Sequence, residues 1–264
     1  MCGRMTLTRS GSEIAAYFEE AMAMGEGTEL PGFALREPNG EPLRKRFNVA
    51  PSGDVLTLVP GLVGSGETAA FSWKRWGLVP KWAKDPSIGS KMFNARAETA
   101  DTKPSFRAAW KRRRCLVAAD GFYEWTPRNR GHRPYYFQST RGDLLAFAGL
   151  FEEWHGEGGE VIESCTVLTT DANADLAEVH HRMPVIVDAA NYSRWLDLET
   201  EPESLKTIVV PAPAGTLERR EVTRFVNDPR RDDERCIAAV PRAEQADLFS
   251  LEGTDASESF DEEF

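Results

Sequence analysis

Cysteine is scarce and scattered. Cys2, Cys115, Cys165 and Cys236 are the only four in 264 residues, and no two stand in a CxxC spacing. That pattern gives little support to a zinc site and argues against a disulfide framework. Cys115 and Cys165 sit in apolar, strand-like runs and read as small buried hydrophobes. Long apolar runs are missing as well: no stretch approaches the roughly 18 residues of a membrane span. The first ten residues have neither the apolar run nor the cleavage site of a signal peptide. A cytoplasmic protein without a membrane partner is expected. Internal repeats and clear linkers are also absent. Basic residues are the minority, 32 against 42 acids, for a net charge of -10. Taken whole, that balance argues against a nucleic-acid partner.

The distribution of charge argues otherwise. From Trp73 to Arg114 there are 12 Lys and Arg against three acids, Asp85, Glu98 and Asp101. From Arg242 to Phe264 there are eight acids against one Arg. The acidity is largely a property of the tail, and the middle of the chain is locally basic. A solvated helical face would explain part of that basic stretch.

The pattern along the chain predicts a helix over Ser12 to Met24, N-capped by Ser12, with Ile14, Tyr17, Phe18 and Met22 as its apolar stripe. Strands are predicted at Val55–Val59, Ala69–Leu78, Arg114–Trp125, Pro134–Ser139, Leu144–Trp154, Ser164–Thr170, Met183–Val187, Thr207–Val210 and Arg219–Val226. A Gly-rich turn is expected at Gly61 to Gly66. Helices are expected from Pro104 to about Arg112, over Asn173 to Val179, and after Asp188 through Leu198. This is an α+β pattern with an antiparallel-rich β-sheet core and flanking helices, and lacks the βαβ repeat of a parallel sheet. One domain is expected over residues 2–240. Residues 241–264 read as an acidic, disordered tail.

The chain opens Met1-Cys2-Gly3-Arg4. Once Met1 is removed, Cys2 carries an α-amine and a thiol on adjacent carbons, a 1,2-aminothiol that no other residue can present. An aldehyde meets the amine as a Schiff base, and the thiol then closes a five-membered thiazolidine. A reactive thiol beside an electropositive group is a familiar nucleophile pattern.

Further segments carry a pattern of their own: Arg46-Phe47-Asn48-Val49-Ala50-Pro51, Trp76-Gly77-Leu78-Val79-Pro80, Asn94-Ala95-Arg96-Ala97-Glu98-Thr99, Gly121-Phe122-Tyr123-Glu124-Trp125 and His180-His181-Arg182-Met183-Pro184. A weaker echo lies at Val222-Thr223-Arg224-Phe225-Val226-Asn227. With the Met-Cys-Gly-Arg start, and in this order, they make the chain resemble the SRAP (SOS response-associated peptidase) family. Members of that family act on abasic sites in single-stranded DNA. The acidic extension after about Val240 has no counterpart in the pattern.

The resemblance implies a sensor and shield for abasic sites. The ring-opened abasic sugar bears an aldehyde at C1′, which Cys2 would capture as a stable DNA–protein crosslink. An α-amine titrates near pH 8, so an appreciable neutral fraction exists at neutral pH. Glu124, among Phe122, Tyr123 and Trp125, would move protons with a raised pKa. Asn94 would hold the Cys2 end by side-chain hydrogen bonds. His180, two residues before the Arg, would assist at the sugar; the residues alone leave His181 open for that task. Arg4, Arg96 and Arg182 are expected on phosphates, with Lys81 and Arg112 as weaker candidates. Trp82 is expected to stack on bases beside a basic groove, whereas Trp76 is expected in the core. Asn48 and Pro51 would line the DNA path. The resemblance implies a monomer that needs no metal or organic cofactor and associates with the nucleoid when on DNA. Two other functions use overlapping features: an N-terminal-nucleophile cysteine amidohydrolase, and a non-covalent single-strand binder.

Overall fold

A computed structural model describes residues 2–23, 35–61 and 69–240. The expected acidic tail, and nearly all of the Gly61 to Gly66 turn, lie outside the described residues. The strands are β1 (Met5–Leu7), β2 (Arg46–Val49), β3 (Asp54–Pro60), β4 (Ala69–Trp76), β5 (Asn94–Arg96), β6 (Arg114–Ala119), β7 (Gly121–Trp125), β8 (Pro134–Ser139), β9 (Leu145–His155), β10 (Val161–Asp171), β11 (Arg182–Pro184) and β12 (Leu217–Glu221). The helices are α1 (Gly11–Ala23), α2 (Ala97–Ala100), α3 (Arg107–Arg112), α4 (Tyr192–Leu196) and α5 (Pro202–Lys206). No helix among the described residues is long and apolar enough to cross a membrane.

Two sheets form. Five strands pair in the order β12-β8-β7-β1-β2. Seven make the second sheet, running β11-β10-β4-β3-β6-β9 with β5 on β10. Because β9 also pairs with β10, the ring β4-β3-β6-β9-β10 closes on itself. Closure leaves the central strands covered along their length, and all six residues of β6 are buried. Such strands read as apolar runs without alternation. Most pairings are antiparallel; β10 runs parallel to β4 and β5.

The single strand predicted over Arg114–Trp125 is two. β6 belongs to the seven-stranded sheet and β7 to the five-stranded one, with Asp120 between them. Gly121 allows the crossing: a Cβ there would lie 2.4 Å from the Phe137 carbonyl oxygen. The crossing places Glu124 and Trp125 in the same sheet as the start of the chain. Other boundaries also move. Ser10 rather than Ser12 caps α1, through a reciprocal pair in which the Ser10 N–H donates to Glu13 Oε2 at 2.8 Å and the Glu13 N–H to Ser10 Oγ at 3.3 Å. Residues 207–210 form turns, not a strand, and 173–179 turns, not a helix. Two short helical pieces replace the single helix expected after Asp188, whose carboxylate caps the first.

Candidate nucleic-acid active site

Cys2 precedes β1 and is wholly buried, in one cluster with Val49, Trp76, Phe122, Val167, Val179 and Met183. Burial and the charge of Glu124 push its thiol far above the ordinary range. The thiol is therefore protonated. Apolar walls favour the neutral form.

The antiparallel register of β1 and β7 pairs Met5 with Phe122 and Thr6 with Gly121. Continued by one residue, it lets the Tyr123 N–H donate to the Arg4 carbonyl at 3.0 Å. One residue further, Glu124 stands opposite Gly3, next to Cys2. Glu124 is 3 % exposed, and burial pushes its carboxyl up to about 7. A carboxyl at that value exchanges protons in both directions near neutral pH.

Asn94 opens β5, which lies parallel to β10 with Asn94 opposite Val167. Its Nδ2 donates to the Cys2 carbonyl at 2.6 Å. The segment before it is fixed by Trp76, whose Nε1–H donates to the Phe93 carbonyl at 2.8 Å. Trp76 is thus the core residue expected, and it also supports Asn94.

His180 lies on the turn before β11, and its neighbours Val179 and Met183 share the Cys2 cluster. Its ring is half-buried, whereas His181 is exposed and stacks on it at 4.5 Å. Burial lowers the His180 pKa to about 4, so the ring is neutral near pH 7. Of the two histidines, His180 is the one turned inward.

The basic candidates separate into groups. Arg96 is exposed on β5, two residues from Asn94. Lys81 and Trp82 project from the turn after Trp76, with Trp82 59 % exposed; the turn is anchored where Trp154 Nε1–H donates to the Ala83 carbonyl at 2.7 Å. Pro51 sits half-buried in a turn whose Ser52 N–H donates to the Trp76 carbonyl. Arg112 is exposed at the end of α3, whose Trp110 packs on Trp195 in a different core cluster. The structure does not bring Arg112 to Cys2.

Arg4, Asn48 and Arg182 are engaged internally. Arg4 Nη1 donates to Asn48 Oδ1 at 2.7 Å and to the Val226 carbonyl at 2.8 Å, with its guanidinium over the Trp125 ring. Asn48 is buried, and its Nδ2 donates to the carbonyls of Val226, Asp228 and Arg231. Its side chain ties β2 to the later chain instead of lining an open path. This explains the echo around Val226, whose neighbour Asn227 accepts from Trp125 Nε1. Arg182 is 7 % exposed. Both its terminal nitrogens are taken: Nη1 by Glu98 and Asp171, Nη2 by Glu98 and the Thr169 carbonyl. A phosphate reaches that fork only by displacing a carboxylate. Glu98 and Asp171 were not among the expected site residues. For Glu98 a signal existed: it is one of only three acids in the basic stretch, inside the Asn94–Thr99 motif.

The model for the SOS response associated peptidase (SRAP) family matches residues 1–229. Abasic site processing protein YoqW of Bacillus subtilis (strain 168) is 36% identical over 239 residues, covering 90% of this chain and 99% of that protein. Abasic site processing protein HMCES of Gallus gallus is 37% identical over 192 residues, 63% of this chain and 56% of that protein. A solved protein from Bacteroides thetaiotaomicron shares the fold with a TM-score of 0.74 at 21% identity, over 91% of this chain and all of that one. The chain belongs to the SOS response associated peptidase (SRAP) family.

Proposed function

We propose that this protein processes abasic sites in single-stranded DNA by crosslinking them to Cys2 after Met1 is lost, through its own peptidase activity or that of an aminopeptidase. The observation that carries the proposal is the grouping of a buried, protonated Cys2 thiol, the Asn94 amide on the Cys2 carbonyl, and a Glu124 carboxyl titrating at about 7. Abasic site processing is also what the curated relatives are named for.

The α-amine of Cys2 attacks the C1′ aldehyde, because the buried thiol is a poor first nucleophile while an amine is substantially neutral near pH 8. Glu124 gives a proton to the departing hydroxyl of the carbinolamine, and water leaves as the imine forms. The thiol then adds across the C=N bond: sulfur bonds to C1′, and its proton reaches the nitrogen by way of Glu124. One water is lost overall. His180, neutral and half-buried, serves the sugar side of the site. Arg96 supplies positive charge for the backbone and Trp82 an exposed ring for stacking. Ring closure suppresses strand cleavage by β-elimination, which needs the open Schiff base.

An amidohydrolase using the Cys2 thiol fits less well, since it needs a thiolate that burial disfavours. Incubation with abasic and intact oligonucleotides, resolved on a denaturing gel, separates the readings. A heat-stable shifted band with abasic DNA alone is expected. Its absence, with amide hydrolysis or simple binding intact, would favour one of the alternatives.

A further inference from the structure

We infer that Glu98 and Asp171 are positioning residues, which act through Arg182 to hold His180 in its Nε2–H tautomer. The use of that tautomer at the sugar rests on the function proposed above; the tautomer itself rests on geometry alone.

The Arg182 backbone N–H points at His180 Nδ1, with the nitrogens 3.0 Å apart. The hydrogen of a backbone amide has a fixed place, so Nδ1 must present its lone pair. The Arg182 carbonyl lies 3.1 Å from the same nitrogen. A neutral imidazole nitrogen carries either a lone pair or a hydrogen, and the amide proton cannot turn away to make room. The ring proton therefore sits on Nε2, and a histidine so held is a hydrogen-bond donor at its far nitrogen.

The fork on the Arg182 side chain and the β10–β11 pairing together hold its amide in place. Nη1 lies 2.6 Å from Glu98 Oε1 and 2.7 Å from Asp171 Oδ1; Nη2 lies 2.9 Å from Glu98 Oε2 and 2.6 Å from the Thr169 carbonyl. Asp171 also faces Arg182 across the β10–β11 pairing. Arg182 is thus tied to β10 by main chain and side chain together. Glu98 lies four residues after Asn94, which holds the Cys2 carbonyl. The bidentate ion pair consequently links the segment that holds Cys2 to the strand that holds His180. Bidentate pairing fixes orientation as well as distance. A shift of about 1 Å in a reacting group costs on the order of 100-fold in rate.

The test is a two-bond 1H–15N spectrum of the 15N-labelled full chain near neutral pH, with His180 assigned by its loss in His180→Ala. A protonated Nε2 and an unprotonated Nδ1 are expected; a protonated Nδ1 would overturn the inference. In Glu98→Gln/Asp171→Asn, we expect averaged tautomer signals and a fall in crosslinking of about tenfold, with Glu98→Gln alone intermediate because its amide keeps one acceptor. A folded double variant with the wild-type spectrum and rate would overturn the positioning role. If the double variant fails to fold, Glu98→Gln decides on the same two readouts. The spectrum needs no DNA, so a wild-type chain with the expected tautomer and no crosslink would count against the proposed function, not against the clamp.

Discussion

The side-chain amide of Asn94 donates to the main-chain carbonyl of Cys2 at 2.6 Å, joining residues 92 positions apart in the chain. This bond fixes the residue that, on the function proposed above, carries both reacting groups. A hydrogen bond of this kind contributes about 1 kcal/mol to stability, but loose positioning of reactants costs more in rate than in folding. Asn94→Ala is expected to slow crosslinking by about 10- to 100-fold while the unfolding temperature changes little. Asn94→Asp keeps the shape without the donor and is expected to behave like Asn94→Ala. Single-turnover rates on an abasic oligonucleotide check both; a wild-type rate in either variant removes Asn94 from the site.

On the function proposed above, Glu124 links activity to stability. Its folded pKa is about 7, against about 4.3 in an unfolded chain. Between those values the native state binds more protons, so stability is full below the lower one and falls as pH rises through about 7. The loss is on the order of 3 kcal/mol above that pH. Glu124→Gln removes the cost: it should unfold several degrees above wild type near pH 8 and close to wild type near pH 4. The same variant should crosslink slowly and lose the wild-type rate change around pH 7. Thermal scans and rates across this range check the pair of effects. Equal stability at both ends of the range would mean that Glu124 is not a buried carboxyl of raised pKa.

All four cysteines are buried in the structure. Under native conditions a thiol reagent should therefore modify almost none of them within minutes, and all four after denaturation. Rapid native labelling at Cys2 would contradict a buried, protonated thiol there.

Two exposed residues should govern DNA affinity without affecting the fold. Arg96→Ala is expected to reduce the salt dependence of single-strand binding by about 0.7 in log–log slope, one phosphate contact. Trp82→Ala should cost about 1–3 kcal/mol of binding if a base stacks there. Arg182→Ala should differ from both, destabilising the protein because it removes a buried guanidinium that packs against β10 and donates to the Thr169 carbonyl. Fluorescence anisotropy over a salt series, paired with thermal unfolding, distinguishes the three. A slope unchanged by Arg96→Ala would move the phosphate path elsewhere.

The sequence carried the core better than the connections. In the α1 stripe Ile14, Phe18 and Met22 are buried and Tyr17 is half-buried, and Cys115 and Cys165 are buried too, because these follow from local periodicity and apolar runs. The division of Arg114–Trp125 between two sheets was not legible, since Asp120 and Gly121 resemble an ordinary strand irregularity until Phe137 approaches. Residues 207–210 are all β-branched and three are apolar, yet tertiary packing holds them in turns. At the site, residue types pointed to Cys2, Asn94, Glu124 and His180, but the protonated state of Cys2 depends on walls from distant strands. Arg182 and Asn48 look like open polar groups in sequence. Their partners Glu98, Asp171, Val226 and Arg231 are remote in the chain, so only the fold reveals that both are internally engaged.

The most direct measurement of the central claim is the mass of the crosslinked N-terminal peptide, taken without borohydride after digestion of protein and DNA. The account predicts a peptide that begins at Cys2, lacks Met1, and carries the abasic sugar with the loss of one water, stable to heat and absent from Cys2→Ala. An adduct on a lysine, or one that survives only after borohydride reduction, would contradict it.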